Sequence, residues 1–91
     1  MSSVQFPIPA QTWVQITTTD KQGSIRHMSG NGAVIYTESP TEPAAFSDST
    51  PVMEETTKTQ DFTYYAVGDT DFIWAYSISE DSVITVTPGS V

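Results

Sequence analysis

The chain has 91 residues, no cysteine and a formal net charge of −8, from 3 Lys and Arg against 11 Asp and Glu. This length predicts a single domain over residues 1–91, and the missing cysteines exclude disulfides, thiolate metal sites and cysteine nucleophiles. Three scattered basic residues are too few to neutralise nucleic-acid phosphates, and an anionic membrane would repel an acidic surface, so we expect neither partner. The N-terminus has no basic or apolar stretch, so we expect no signal peptide and synthesis in the cytoplasm.

The residue types favour β-structure throughout. The chain contains 14 Thr and 11 Ser, most of its apolar residues are Val, Ile, Tyr, Phe and Trp, and Leu is absent. β-Branched and aromatic side chains pack well on a pleated sheet, whereas Leu is the expected core residue of helices. The sequence therefore predicts an all-β fold, a small antiparallel β-sandwich or barrel of about six to eight short strands with one long Pro-rich loop.

Alternation of apolar residues locates the first strands. Val4, Phe6 and Ile8 alternate with other residues, and the two prolines among them restrict the segment to a sheet edge or a strand end. Residues 1–10 are therefore predicted to form an extended N-terminal arm. Residues 12–17 are the next predicted strand.

An Asn-Gly pair marks the next turn. A short strand is predicted at residues 24–27, Asn31 and Gly32 follow it, and residues 33–37 are rich in β-forming side chains. Asn-Gly between two β segments is a strong hairpin signal, so residues 33–37 are predicted to pair with the strand before the turn.

Residues 38–51 differ from the rest of the chain. They contain three prolines, each lacking the N–H that a strand ladder needs, with Ser, Asp and Thr between them. This composition predicts a long loop, with one helical turn at residues 43–46 and a short edge strand at residues 52–55. A loop longer than about twelve residues in a compact domain is usually functional or mobile.

Three closing strands are predicted at residues 61–67, 71–78 and 82–87. The adjacent Tyr64 and Tyr65 must point to opposite sides of the first of these. The strand at 71–78 is apolar on both faces, so we expect it to be covered twice, by the core on one face and by a loop or a partner on the other.

No group of residues in the sequence predicts chemistry. His27 is the only histidine, and without a second imidazole or a nucleophile nearby it is interpreted as a half-exposed strand residue. The acidic turns at residues 69–71 and 80–81 fit no calcium-loop spacing and are explained by the preference of Asp for turns. We therefore predict no catalytic residue, no metal site, no cofactor and no enzymatic activity.

Large apolar side chains are the candidates for contact with another molecule, since aromatic residues are frequent at interface hot spots. The candidate interface residues are Phe6, Ile8, Trp13, Tyr36, Phe46, Tyr65, Trp74 and Tyr76.

The order of these elements resembles small β-sandwich structural proteins of tailed bacteriophage particles. The resemblance lies in the Val4, Phe6, Ile8 alternation, residues 12–16 (TWVQI), residues 33–39 (AVIYTES) with the Pro and Ala residues after them, residues 72–76 (FIWAY) and residues 83–87 (VITVT). It implies attachment to a virion, with the major capsid protein or another virion protein as partner. It assigns no catalytic residue.

The leading hypothesis is a capsid decoration (cement) protein that binds the major capsid protein and stabilises the head. Local symmetry axes on a capsid surface favour a homo-oligomer, for which a trimer is one arrangement. One alternative is a tail or fibre component that binds host glycans through its aromatic residues. Another is an acidic inhibitor that mimics DNA with its carboxylates.

Overall fold

A computed structural model of the chain describes residues 3–17, 22–65 and 71–88. The predicted all-β fold is confirmed: the described residues form eight strands in two antiparallel sheets. The strands are β1 (Val4–Ile8), β2 (Trp13–Gln15), β3 (Gln22–Ser29), β4 (Val34–Ser39), β5 (Glu54–Thr56), β6 (Asp61–Tyr65), β7 (Phe72–Ser77) and β8 (Ser82–Pro88). Part of the predicted arm (residues 1–2), the end of the predicted strand at 61–67 and Asp69 of the first acidic turn lie outside the described residues.

Successive strands along the chain lie almost alternately in the first and the second sheet. The first sheet has the order β1-β8-β3-β6 and the second sheet has the order β2-β7-β4-β5. Only β4 and β5 are both consecutive in the chain and neighbours in one sheet. Eight strands wound between two sheets in this order form a jelly roll, an arrangement of two Greek keys.

The inner faces of the two sheets form the core. The buried core residues, all β-branched or aromatic except one Ala, are Ile8, Ile16, Ile25, Val34, Tyr36, Tyr64, Ile73, Ala75, Ile84 and Val86. The period-two pleat places alternate residues on opposite faces, so Ile84 and Val86 point inward while Thr85 and Thr87 point outward. All of these residues except Ile16 lie on strands, which agrees with the absence of Leu from the sequence.

The predicted Asn-Gly hairpin is wrong. β3 pairs with β6 and β8, whereas β4 pairs with β5 and β7, so the connection between β3 and β4 crosses from one sheet to the other. The Asn31 N–H donates to a carboxylate oxygen of Glu80, which ties this connection to the turn before β8. The turn residues specify a change of direction, but the core decides which strands become neighbours.

The structure also differs from two smaller predictions. Residues 43–46 form no helical turn, and the edge strand predicted at residues 52–55 is β5, displaced toward the C-terminus. The part of the chain that the structure describes includes no helix with the length and hydropathy of a membrane span.

Gly30 and Gly32 provide a matched test of the crossing connection. Gly30 has φ of 101°, and an added Cβ would lie 2.8 Å from the Asp81 carbonyl oxygen and closer still to the Ser82 hydroxyl, which is buried. At Gly32 the one severe contact would be with the flexible side chain of exposed Ser79.

We expect Gly30→Ala to lower the free energy of unfolding by about 2–4 kcal/mol, through positive-φ strain and the backbone contact. Gly32→Ala should cost less than about 1 kcal/mol, because the Ser79 side chain can rotate away. Urea unfolding followed by tryptophan fluorescence measures both values. Equal costs would contradict the proposed tight approach at Gly30.

Candidate functional site

The structure divides the eight candidate interface residues into three groups. Three of them, Phe6, Ile8 and Tyr36, face the core, where Ile8 and Tyr36 are fully buried. Four lie together on the outer face of the second sheet: Trp13, Phe46, Trp74 and Tyr76. Tyr65 alone is mainly exposed, at 61%, on the outer face of the first sheet.

The four aromatic residues on the second sheet belong to a larger cluster, here called the outer aromatic cluster. Its members are Trp13, Ile35, Phe46, Phe72, Trp74, Tyr76 and Ile78. Alternation along β7 places Trp74 and Tyr76 on this face and sends Ile73 and Ala75 into the core. β7 is therefore covered on both faces, as its two apolar faces predict.

The cover is the chain's own connection between β4 and β5, residues 40–53, here called the Pro loop. The Trp13 indole N–H donates to the Ala44 carbonyl oxygen at 2.9 Å, and the Phe46 ring stacks on Tyr76 with the ring centroids 5.3 Å apart. The Trp74 indole N–H donates to the carbonyl oxygen of Ser39, just before the loop, at 3.0 Å. Trp13 and Trp74 are consequently only 7% and 8% exposed.

The outer face of the first sheet has no such cover among the described residues. Two rows of polar side chains, most of them Ser or Thr, cross its four strands. We call these residues the hydroxyl face: Ser3, Gln5, Ser24, Arg26, Asp61, Thr63, Thr85 and Thr87. The Ser3 and Thr87 hydroxyls lie 2.7 Å apart, which extends one row beyond the start of β1. Most of these residues line a shallow groove, together with the exposed Met28.

The hydroxyl face is nearly neutral on a strongly acidic chain. Its two charged residues, Arg26 and Asp61, are Cα partners in the β3–β6 pair and carry opposite charges. The other carboxylates among the described residues lie elsewhere: Glu38, Glu42, Asp48, Glu54, Glu55, Asp71, Glu80 and Asp81. The acidic charge is therefore concentrated away from this face.

His27 is fully buried, so its interpretation as a half-exposed residue is wrong. Its Nε2 donates to the Ser29 carbonyl oxygen at 2.9 Å, and its Nδ1 lies 3.2 Å from the Thr56 hydroxyl oxygen. The Tyr36 hydroxyl lies 2.9 Å from Thr56 Oγ1, within hydrogen-bond distance. This chain of bonds joins β3 of the first sheet to β4 and β5 of the second.

The buried polar chain is structural, because its groups satisfy one another. No buried side-chain polar atom of the described residues lacks a hydrogen-bond partner. Burial raises the pKa of Tyr36 to about 12; the hydrogen bond with Thr56 opposes this rise, and the negative charge of Glu54 adds to it. The described residues contain no group of three or more His, Asp or Glu side chains that could hold a metal ion.

Sequence reasoning missed the hydroxyl face. Polar and apolar residues alternate in parts of β3, β6 and β8, as at Asp61 to Thr63 and at Thr85 to Thr87, and that alternation was a visible signal for an outward polar face. What the sequence did not show is that these three strands are neighbours.

No family model matches the chain, and neither the curated proteins nor the solved structures contain a match to it.

The raised pKa of Tyr36 makes stability depend on pH in the alkaline range. A phenol whose pKa is higher in the folded state than its ordinary value of 10.0 stabilises the fold fully below pH 10, and this contribution is lost as the pH rises towards 12. The Tyr36→Phe variant lacks the ionisable group. We expect the difference in unfolding free energy between wild type and variant to fall by roughly 2–3 kcal/mol between pH 9 and pH 12.

Urea unfolding followed by circular dichroism, at a series of pH values, measures this difference. Tyr65→Phe makes the same chemical change at an exposed position and should keep the alkaline loss of the wild type. A constant difference between wild type and Tyr36→Phe over this range would contradict the prediction.

The Pro loop can be tested through the two tryptophans, which both lie in the outer aromatic cluster. Phe46→Ala removes the ring stacked on Tyr76, and we expect it to cost about 1–2 kcal/mol because Phe46 is only partly buried. Acrylamide should quench the indole fluorescence more strongly in this variant. Val52→Ala, at an exposed position of the same loop, should leave quenching unchanged; an unchanged value in Phe46→Ala as well would contradict the covering role of Phe46.

Proposed function

We propose that this protein is a structural component of a tailed bacteriophage particle, a capsid decoration protein that lays its hydroxyl face on the major capsid protein. The observation that supports this most is the difference between the two outer faces. The second sheet is covered by the Pro loop, whereas the first sheet presents a flat, nearly neutral surface on a chain of net charge −8.

A face of this composition is suited to burial against another protein. Burying unpaired charges is costly, and the central part of protein interfaces is accordingly depleted of charged residues. Hydroxyl groups both donate and accept hydrogen bonds, so they can meet either kind of group on a partner. The carboxylates elsewhere would remain in solvent while the hydroxyl face is in contact.

The topology agrees with this proposal. Jelly rolls occur in viral capsid domains and also in lectins and cupins, so the fold by itself is compatible with several functions. The hydroxyl face, and the resemblance of the sequence pattern to phage structural proteins, favour the first of these.

The two alternatives have less support. Six Trp and Tyr side chains were the candidates for stacking on glycans. The Pro loop covers Trp13, Trp74 and Tyr76. Tyr36 and Tyr64 are buried in the core, so Tyr65 alone of the six is mainly exposed. A DNA mimic needs carboxylates in a phosphate-like row on one face, whereas the acidic residues here are spread over loops, turns and strand edges.

The number of copies per particle tests the proposed location. Purified particles from the source lysate are analysed by quantitative mass spectrometry, with the major capsid protein as the internal reference. A decoration protein is expected in hundreds of copies, because it repeats with the shell lattice. A few dozen copies or fewer would favour the tail alternative, and absence from the particle would overturn the structural proposal.

A pair of Thr→Glu variants tests the face. Thr85 lies on an inner strand of the first sheet, within the hydroxyl face, whereas Thr41 is exposed on the Pro loop. We expect Thr85→Glu to weaken binding to particles stripped of this protein at least about tenfold, equivalent to about 1.4 kcal/mol, because it buries an unpaired charge. Thr41→Glu has the same net charge and should bind like the wild type; equal affinities for all three proteins would show that another surface makes the contact.

A further inference from the structure

The open edges of the two sheets differ in how well they are protected. An edge strand exposes unpaired N–H and C=O groups that another strand can bind, and proteins usually block such edges with proline, charge or short length. The edge strands here are β1 and β6 in the first sheet and β2 and β5 in the second sheet.

Three of the edges have such protection. β1 contains Pro7, which has no N–H, and Pro9 follows directly after the strand. β2 is only three residues long, and β5 is also three residues long with the adjacent carboxylates of Glu54 and Glu55 exposed on it. A second copy paired along β5 would bring these like charges close together.

β6 has fewer of these features, because its one charged residue, Asp61, lies opposite the oppositely charged Arg26 of β3. It is five residues long, contains no proline, and is not paired on its far side with any described strand. The His27 N–H donates to the Gln60 carbonyl oxygen, and the His27 carbonyl oxygen accepts from the Thr59 N–H. Both groups of His27 therefore point toward the start of β6. Because bonding direction alternates along an antiparallel pair, the N–H and C=O groups of the exposed Asp61, Thr63 and Tyr65 point away from β3.

We propose that a second copy of the chain pairs with this edge, β6 against β6, in antiparallel orientation about a two-fold axis at Thr63. In this register Thr63 lies opposite Thr63 of the second copy, and Asp61 lies opposite Tyr65 of the second copy. All three outward-pointing residues of each strand then exchange hydrogen bonds with an outward-pointing residue of the other.

The side chains are complementary in the same register. Asp61 meets the tyrosine of the second copy rather than a carboxylate, and the two Thr63 residues form a pair of the kind that stabilises antiparallel sheets. The contact is isologous, so it closes after two copies. It joins the two first sheets into one eight-stranded sheet with the two hydroxyl faces side by side, whether or not that face binds a capsid.

The net charge predicts the salt dependence of this dimer. Each copy has a formal charge of −8, so the two copies repel at long range. Raising NaCl from about 0.02 M to about 0.5 M shortens the screening length several-fold, and we expect dimerisation to become at least several-fold tighter. A contact held together by opposite charges would respond in the other direction.

Cysteine cross-linking tests the register directly, because the natural chain has no cysteine. The Cα atoms of a hydrogen-bonded antiparallel pair are about 5.5 Å apart, within the range of about 4.4–6.8 Å that a disulfide spans. Thr63→Cys should form a disulfide-linked dimer in glutathione buffer at least about tenfold faster than Thr85→Cys, two strands further in on the same face. Equal rates for the two variants would overturn the proposal.

Sedimentation velocity tests the assembly without a cross-link. The unmodified chain should shift from monomer toward twice its mass of 9.9 kDa as its concentration rises. Thr63→Pro removes an outward N–H while leaving the bonds between β6 and β3 in place, and it should stay monomeric with a wild-type circular dichroism spectrum. A trimer, or a Thr63→Pro variant that associates like the wild type, would overturn the β6 pairing.

These results are separable from those on the proposed function. Thr85→Glu changes the hydroxyl face two strands away from β6 and should leave dimerisation unchanged. A dimer that forms normally in a protein absent from particles would therefore contradict the decoration role and support the pairing.

Discussion

The packing of the two inner sheet faces against each other is the constraint on which the rest of the structure depends. Because side chains alternate along each strand, burying Ile25, Ile73 and Ile84 between the sheets also determines which residues point outward. A shift of one residue in the pairing of β8 would turn its threonines into the core. The hydroxyl face and the outer aromatic cluster are both consequences of this single choice of register.

The outer faces of the two sheets differ in how far they are exposed to solvent. β7 has large apolar side chains on both sides, and an exposed cluster of two indoles and two phenyl rings would be a strong site for association. The Pro loop covers it and satisfies the indole N–H of Trp13 through the Ala44 carbonyl group. Among the described residues the first sheet has no such cover, and most of its outward side chains are polar, with Met28 and Tyr65 as the exposed exceptions. Its surface is available to a partner without any rearrangement of the chain.

Two polar contacts connect the sheets at the same end of the core, since Thr56 and Ser77 are both Cα partners of Val34. The hydrogen bonds among His27, Thr56 and Tyr36 join β3 to β4 and β5, and the hydroxyls of Ser77 and Ser82 lie 3.0 Å apart between β7 and β8. A buried polar group left without its partner costs more than the bond itself contributes, so such contacts disfavour alternative arrangements of the sheets. The hydrogen bonds of Thr56 also help to hold the three-residue strand β5 at the edge of the second sheet.

The sequence by itself determined the all-β class, most of the strands and the double cover of β7, because these depend on residue type and on alternation within one segment. It also showed that Tyr64 and Tyr65 point to opposite sides. Only the tertiary structure decided that the chain crosses between the sheets at Asn31, that His27 is buried, and that the threonines of β6 and β8 share one face with Ser24 of β3. These facts depend on which distant strands become neighbours, and that choice is made by the packing of the whole core, which no local pattern specifies.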